Sequence, residues 1–235
     1  MLTLSSFSFS SVVWGDVIVS PRAERIVLPP NHCISVEILC SIKNESYPIA
    51  ACSFFQSLTA CEHIKLFQLI LNSVFIDPLC EKFTISINTP IQIIQNIDEF
   101  IPQLLNNRNQ KIAFELSEKD IQSIGSYECG ILDKIEKIPN VSLWLDGFGN
   151  NQSNFDVILS NNIHFNTIKV SKELFWGLLK SDMNFLRSLL AYLSKGYNVI
   201  VEGIETQSQF EFISNIKDIK IQGYYFNPQL ESINE

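Results

Sequence analysis

Short apolar runs alternate with longer stretches of helical spacing along nearly the whole chain, and this alternation limits the fold more than any other feature. Candidate strands lie at 34–39, 83–88, 112–116, 141–146, 166–170, 198–202 and 219–222, with 16–20 as a weaker eighth. Helix-like segments fill the gaps at 51–75, 91–105, 119–136, 172–194 and 206–216. Thr89-Pro90 reads as a helix start, with Thr89 as the cap and Pro90 in the first turn. Gly196 follows the leucine-rich stretch that holds Leu186, Leu189, Leu190 and Leu193, where a left-handed helix end is expected. No glycine-rich nucleotide fingerprint follows the first strand, so the repeated units favour a closed (β/α) barrel over a doubly wound sheet. A chain of 235 residues with 46% hydrophobic and 18% charged residues fits one such domain and excludes general disorder.

The last polar residue of each apolar run gives Glu37, Asn88, Glu115, Asp146, Lys169, Glu202 and Gln222. In a barrel these positions converge on the C-terminal rim, where strands deliver side chains to a common cavity mouth. Any one of them could be polar only because a strand end borders solvent. Seven together point to a site, because polar groups beside buried apolar runs must find partners. Four carboxylates on one rim repel, and a hard divalent cation such as Mg²⁺ or Mn²⁺ is the simplest remedy.

A net charge of −8 disfavours a surface for polymeric nucleic acid, although it leaves room for one small anionic ligand. Cys33, Cys40, Cys52, Cys61, Cys80 and Cys129 show no CxxC pair and read as buried free thiols. His32, His63 and His164 lack metal-type spacing. Residues 1–14 lack the basic start of a secretory signal, and no run is apolar enough to span a bilayer, so a reducing cytoplasm is the expected setting.

Local sequences add a resemblance. NVIVEGIE at 198–205 is similar to the AEGVE motif of the EAL family of cyclic di-GMP phosphodiesterases, and IQGYYF at 221–226 is similar to its QGY motif. VSLWLDGFG at 141–149 resembles that family's DDFG segment, and 167–170 resembles its KiD segment. Upstream, 85–88 and 114–118 resemble its Asn- and Glu-bearing strand ends, and EIL at 37–39 resembles the name-giving signature. The matches run in family order from about residue 34 to about residue 230, within a single domain over 1–235 whose first 15 residues diverge. The resemblance implies a modified TIM (β/α)8 barrel and a bacterial signalling protein. Glu37, Asn88, Glu115, Asp146 and Glu202 then correspond to ligands of Mg²⁺ or Mn²⁺, Glu202 and Lys169 to the groups that orient or deprotonate the attacking water, and Gln222 to a supporting polar contact. Glu118 and Glu205 match positions that hold adjacent loops.

Four departures from the family pattern bear on activity. The second residue of the tandem aspartate is Gly147, the loop that follows is NNQSNF at 150–155, the arginine after the signature is Ser41, and the aspartate after the lysine is Ser171. The QPI strand is echoed faintly at Ser20-Pro21. A missing carboxylate weakens one of two metal sites directly, so one ion instead of two is expected. Loss of a guanidinium removes a charged phosphate contact. The resulting expectation is weak or lost hydrolysis, with the protein acting through cyclic di-GMP, a protein partner or a second copy of itself. The alternative is an active metal-dependent phosphodiesterase that yields the linear dinucleotide pGpG. No contact with polymeric nucleic acid or membrane is expected.

Overall fold

The computed structural model describes residues 7–30, 32–44, 49–122, 126–150 and 163–226. Seven strands run parallel in sequence order: β3 (His32–Asn44), β4 (Thr84–Asn88), β5 (Lys111–Ser117), β6 (Val141–Phe148), β7 (Thr167–Val170), β8 (Asn198–Val201) and β9 (Ile219–Gln222). An eighth, β2 (Val17–Leu28), pairs antiparallel with both β3 and β9 and closes the barrel. A short β1 (Val12–Trp14) extends the sheet beyond β2. This is the modified (β/α)8 barrel expected from the sequence, with one strand reversed.

The expected strand at 16–20 is only the first part of β2, which continues for twelve residues. Pro21 and the charged Arg22, Glu24 and Arg25 hide that continuation from a hydrophobicity reading. The strand survives because each of these residues has a cross-strand partner on β3, Pro21 opposite Cys40 and Glu24 opposite Glu37.

Two of the expected helical segments break where a side chain caps a new start. Residues 51–75 divide into α1 (Ala51–Ser57) and α2 (Ala60–Ile76), with Thr59 and Glu62 forming a reciprocal capping box. Residues 91–105 divide into α3 (Ile91–Gln95), a 3-10 turn and α4 (Ile101–Asn106), and the described parts of 119–136 are helical, as α5 (Glu118–Gln122) and α6 (Ser126–Glu136). Residues 172–194 divide at Asp182, whose Oδ1 accepts from the backbone of Asn184 and Phe185, giving α7 (Lys172–Ser181) and α8 (Met183–Leu193). The last, α9 (Gln207–Ser214), starts from a second capping box between Thr206 and Gln209.

Three local expectations are corrected. Thr89 caps nothing: its hydroxyl donates to Ile87 O and its N–H to Glu115 O, which ties the end of β4 to β5, and Pro90 is the N-cap. Gly196 is not left-handed; it closes a turn by donating to Leu193 O, and Ser194 ends α8. The cysteines are free among the described residues, but only Cys80 is buried, and Cys52 and Cys61 are exposed.

Two apolar cores support the rim. Between helices and barrel lies the larger, where α2 buries Leu66, Phe67, Ile70, Leu71 and Val74, and α8 buries the leucines noted in the sequence. Each such leucine contributes about 1.5–3 kcal/mol by leaving water. Inside the barrel Ile26, Ala113, Trp144 and Ile200 form a separate small plug. That plug is the floor of the site.

Candidate functional site

Side chains two apart on a strand share a face, so the residues two steps above the plug must also point inward. From Ala113, Trp144 and Ile200 that step reaches Glu115, Asp146 and Glu202, and on the reversed strand it runs from Ile26 back to Glu24. Glu37 on β3, Asn88 on β4, Lys169 on β7 and Gln222 on β9 complete the level.

Lys169 occupies the centre. Its side chain is 1% exposed, and its Nζ lies 3.0 Å from Glu37 Oε2, 2.9 Å from Glu115 Oε2, 3.2 Å from Asp146 Oδ1 and 3.0 Å from Glu202 Oε1. Glu37 is the best-partnered carboxylate: Asn88 Nδ2 donates to its Oε1 at 2.9 Å and Gln222 Nε2 to its Oε2 at 2.6 Å. The structure thus brings together all seven strand-end residues predicted from the sequence. Glu118 and Glu205 join no carboxylate of the ring. Glu118 is buried at the start of α5, and Glu205 is exposed beside a cavity of about 270 Å³ that Glu24, Glu37, Glu202 and Gln222 line from below.

Burial and charge set the protonation of each group. For Lys169, burial favours the neutral amine, but the four carboxylates outweigh it and hold the pKa well above the ordinary lysine range. Burial would raise Glu37, yet Lys169 and the hydrogen bonds from Gln222 and Asn88 prevail and leave it lowered. Glu115 goes the other way: burial, with Glu37 and Asp146 adding, pushes it well above the ordinary carboxylate value despite Lys169. Burial lifts Glu202 to about 7, and Asp146 and Glu37 add to the shift.

The end of β6 is irregular. Pairing with β7 slips between Leu145 and Phe148, so Asp146 and Gly147 form a bulge opposite Lys169, with Gly147 at φ +73°. Gly147 is therefore more than a missing carboxylate. A side chain there must adopt a left-handed backbone, although the nearest atom to an added Cβ, Asn150 Cβ, is 3.9 Å away. Ser171 also has a positive function, since its hydroxyl accepts from Leu174 N and starts α7. Of the loop at 150–155 only Asn150 falls within the described residues.

Two residues escaped the sequence reading. Glu24 stands opposite Glu37, is 8% exposed, and is pushed up to about 7 by burial with Glu37 adding. It, and not Ser20-Pro21, is the β2 residue beside the ring. Arg22 lies two residues nearer the rim on the same face. The signal was there, as a period-two pattern Arg22, Glu24, Ile26, but Pro21 masked it.

The donor set suits a hard divalent cation. Every candidate ligand offers oxygen, and Glu115 Oε1 is a buried carboxylate oxygen with no hydrogen-bond partner, an atom that such an ion would satisfy. As the side chains stand, the carboxylates converge on the lysine, and no three His, Cys, Asp or Glu side chains among the described residues are grouped to hold an ion.

A barrel closed by one reversed strand, with an acidic ring at its C-terminal rim around a buried lysine, defines a class of TIM-like rim-site proteins. The EAL domain model matches residues 26–229, and the chain belongs to the EAL domain family. Over 97 residues it is 33% identical to the cyclic di-GMP phosphodiesterase PdeH of Escherichia coli (strain K12), a stretch covering 39% of this chain and 37% of that relative, so the match spans little more than a third of PdeH. The EAL-like domain protein YdiV superposes with a TM-score of 0.73 at 17% identity, covering 99% of this chain and 100% of that one. The Bacillus subtilis YkuI protein, solved with its substrate cyclic di-GMP and calcium, superposes at 0.71 with 18% identity, covering 88% of this chain and 54% of YkuI. At such identities these two structures speak for the fold alone. Among the described residues no helix is long and apolar enough to cross a membrane.

Proposed function

We propose that this EAL domain binds cyclic di-GMP and hydrolyses it weakly or not at all, so that it acts chiefly through the bound nucleotide. The observation that carries this reading is the closure of Glu37, Glu115, Asp146 and Glu202 on Lys169 together with a glycine, instead of a second carboxylate, after Asp146. Glu37, Asn88, Glu115, Asp146 and Glu202 are the residues that would hold Mg²⁺ or Mn²⁺. Such an ion polarises a phosphoryl oxygen and acidifies water. The chain's own residues would do the rest. Lys169 would present its ammonium to the water or to the phosphoryl oxygens, and the Glu202 carboxylate would orient the water for attack. Gln222 and Asn88 hold Glu37 in one orientation. Ion entry requires the carboxylates to turn from the ammonium, and with Gly147 in place of a ligand less is gained by turning.

A second reading, an active phosphodiesterase, is favoured by one observation: Glu115 Oε1 is left without a partner, as an oxygen awaiting a cation would be. Chromatography of cyclic di-GMP incubated with the purified protein and Mn²⁺ or Mg²⁺ separates the two. Slow or absent formation of pGpG, with heat of binding by titration calorimetry, is expected. Rapid turnover would overturn the first reading, and a flat titration would remove the nucleotide from the account.

A further inference from the structure

A second cavity, about 540 Å³, is lined by residues of β2, β3, β4, α1 and α2. Its wall is mainly apolar, with Phe55, Phe67, Ile87 and Pro90 among the lining side chains. Its polar lining is Arg22, Asn88 of the acidic ring and His63, beside the thiols of Cys40 and Cys52. Because Asn88 donates to Glu37, and Leu39 lines both this cavity and the one above the ring, the new cavity adjoins the site already described.

Arg22 is half-buried, and its Nε and Nη1 are closed off from solvent without a hydrogen-bond partner. No ion pair within 4 Å joins it to a described carboxylate, although Glu24 on the same strand face feels its charge. A guanidinium stays charged at every accessible pH, and buried N–H donors left unmade weigh against folding. An arginine kept in that condition beside a cavity is explained by a ligand that brings an anion. No carboxylate lines this cavity among the described residues, and Arg22 is the permanent cation that faces it while Lys169 is spent on the ring. The register adds a geometric point. Arg22 is paired with Leu39, and Ser41 lies two residues further along the same face of β3, so positions 22 and 41 are diagonal cross-strand neighbours within reach of one side chain.

We propose that Arg22 is the phosphate-binding residue of this protein: its guanidinium, delivered from the reversed strand β2, holds a phosphodiester group of the dinucleotide, and the apolar wall of the adjoining cavity receives a base. Position 41 is then free to be serine because the charge has moved across the strand pair. The assignment rests on the cyclic dinucleotide reading above and deepens it.

Titration calorimetry with cyclic di-GMP in calcium tests it. Arg22→Ala is expected to weaken binding on the order of 10- to 100-fold, as loss of a charged hydrogen-bonding contact does. Arg22→Lys should recover only part, because an ammonium lacks the planar fork. The double variant Arg22→Ala with Ser41→Arg should recover most of the affinity, an outcome that general damage to the fold would not give. Thermal melting of the ligand-free Arg22→Ala protein is expected to match or exceed that of the parent, since an unmade pair of donors is removed. If the parent binds and Arg22→Ala binds equally well, the assignment of Arg22 is overturned while the nucleotide reading stands. If the parent itself does not bind, both fall.

Discussion

Glu37 and Glu115 flank the same ammonium at nearly the same distance, yet their protonation is driven in opposite directions. On the β3 side, Asn88, Gln222 and Lys169 together supply Glu37 with three donors. Across the barrel, Glu115 accepts from Lys169 through one oxygen, and its other oxygen is buried near the Ser86 hydroxyl without closing a full hydrogen bond. Burial is equally severe for both, and the opposite directions follow from the donors on Glu37 and from the repulsion that Glu37 and Asp146 exert on Glu115. The β3 half of the ring gives its carboxylate Glu37 three donors; the β5–β6 half, with its bulge and glycine, gives Glu115 fewer.

The harshest way to break this comparison is to remove what the two halves share. Lys169→Met should lower the stability of the metal-free protein by about 3–5 kcal/mol, because buried carboxylates lose their counter-charge. Urea denaturation measures this, and added Mn²⁺ should return part of the loss. No recovery with Mn²⁺ would show that the ring cannot host a cation at all.

Glu24 gives a pH-dependent effect next in size. Its carboxyl titrates at about 7 in the fold against an ordinary value of 4.5, so the native state holds a proton that the unfolded chain has released across that window. Stability from this group is therefore present below about pH 4.5 and lost as pH rises to 7. Glu24→Gln, which cannot ionise, should be more stable than the parent by roughly 3 kcal/mol at pH 8 and nearly equal to it at pH 4. A difference that does not change with pH in melting experiments would place the proton elsewhere.

The two glutamates themselves can be contrasted directly. Glu37→Gln, which discards an ionised acceptor of three donors, should cost about 1.5–3 kcal/mol. Glu115→Gln replaces a carboxyl whose ionisation burial already disfavours, and should cost less than Glu37→Gln, within about 1 kcal/mol of the parent in metal-free buffer. Equal losses would erase the distinction between the halves.

The smallest effect on stability belongs to Gly147. Gly147→Asp and Gly147→Asn both place a side chain at φ +73° and should each cost about 1 kcal/mol, since Asp and Asn tolerate that backbone best. Only the aspartate adds a ligand oxygen of full charge. A gain in Mn²⁺-dependent pGpG formation with Asp but not Asn would show that the missing carboxylate limits hydrolysis; no gain with either would move the defect to other residues.

Much of this site was legible before any coordinates. The seven strand-end residues were found because apolar runs of four to six residues mark parallel strands buried on both faces, and the rim follows from where each run ends. Less visible was β2, whose charged inward residues and Pro21 defeat a hydrophobic pattern while the pairing with β3 and β9 sustains the strand. Helix boundaries were blurred for a related reason: Thr59 and Asp182 are unremarkable in a helical pattern until their side chains are seen to cap the next helix.

The sequence by itself determined the barrel, the order of its strands and the chemical identity of the ring, because periodicity and residue type act locally along the chain. Only the tertiary structure decided that β2 is reversed, that Glu24 and Arg22 join the rim, that four carboxylates share one lysine, and that Glu37 and Glu115 differ. Those outcomes depend on partners as much as 185 residues apart, as Gln222 is from Glu37, and on the desolvation that closure of the barrel imposes.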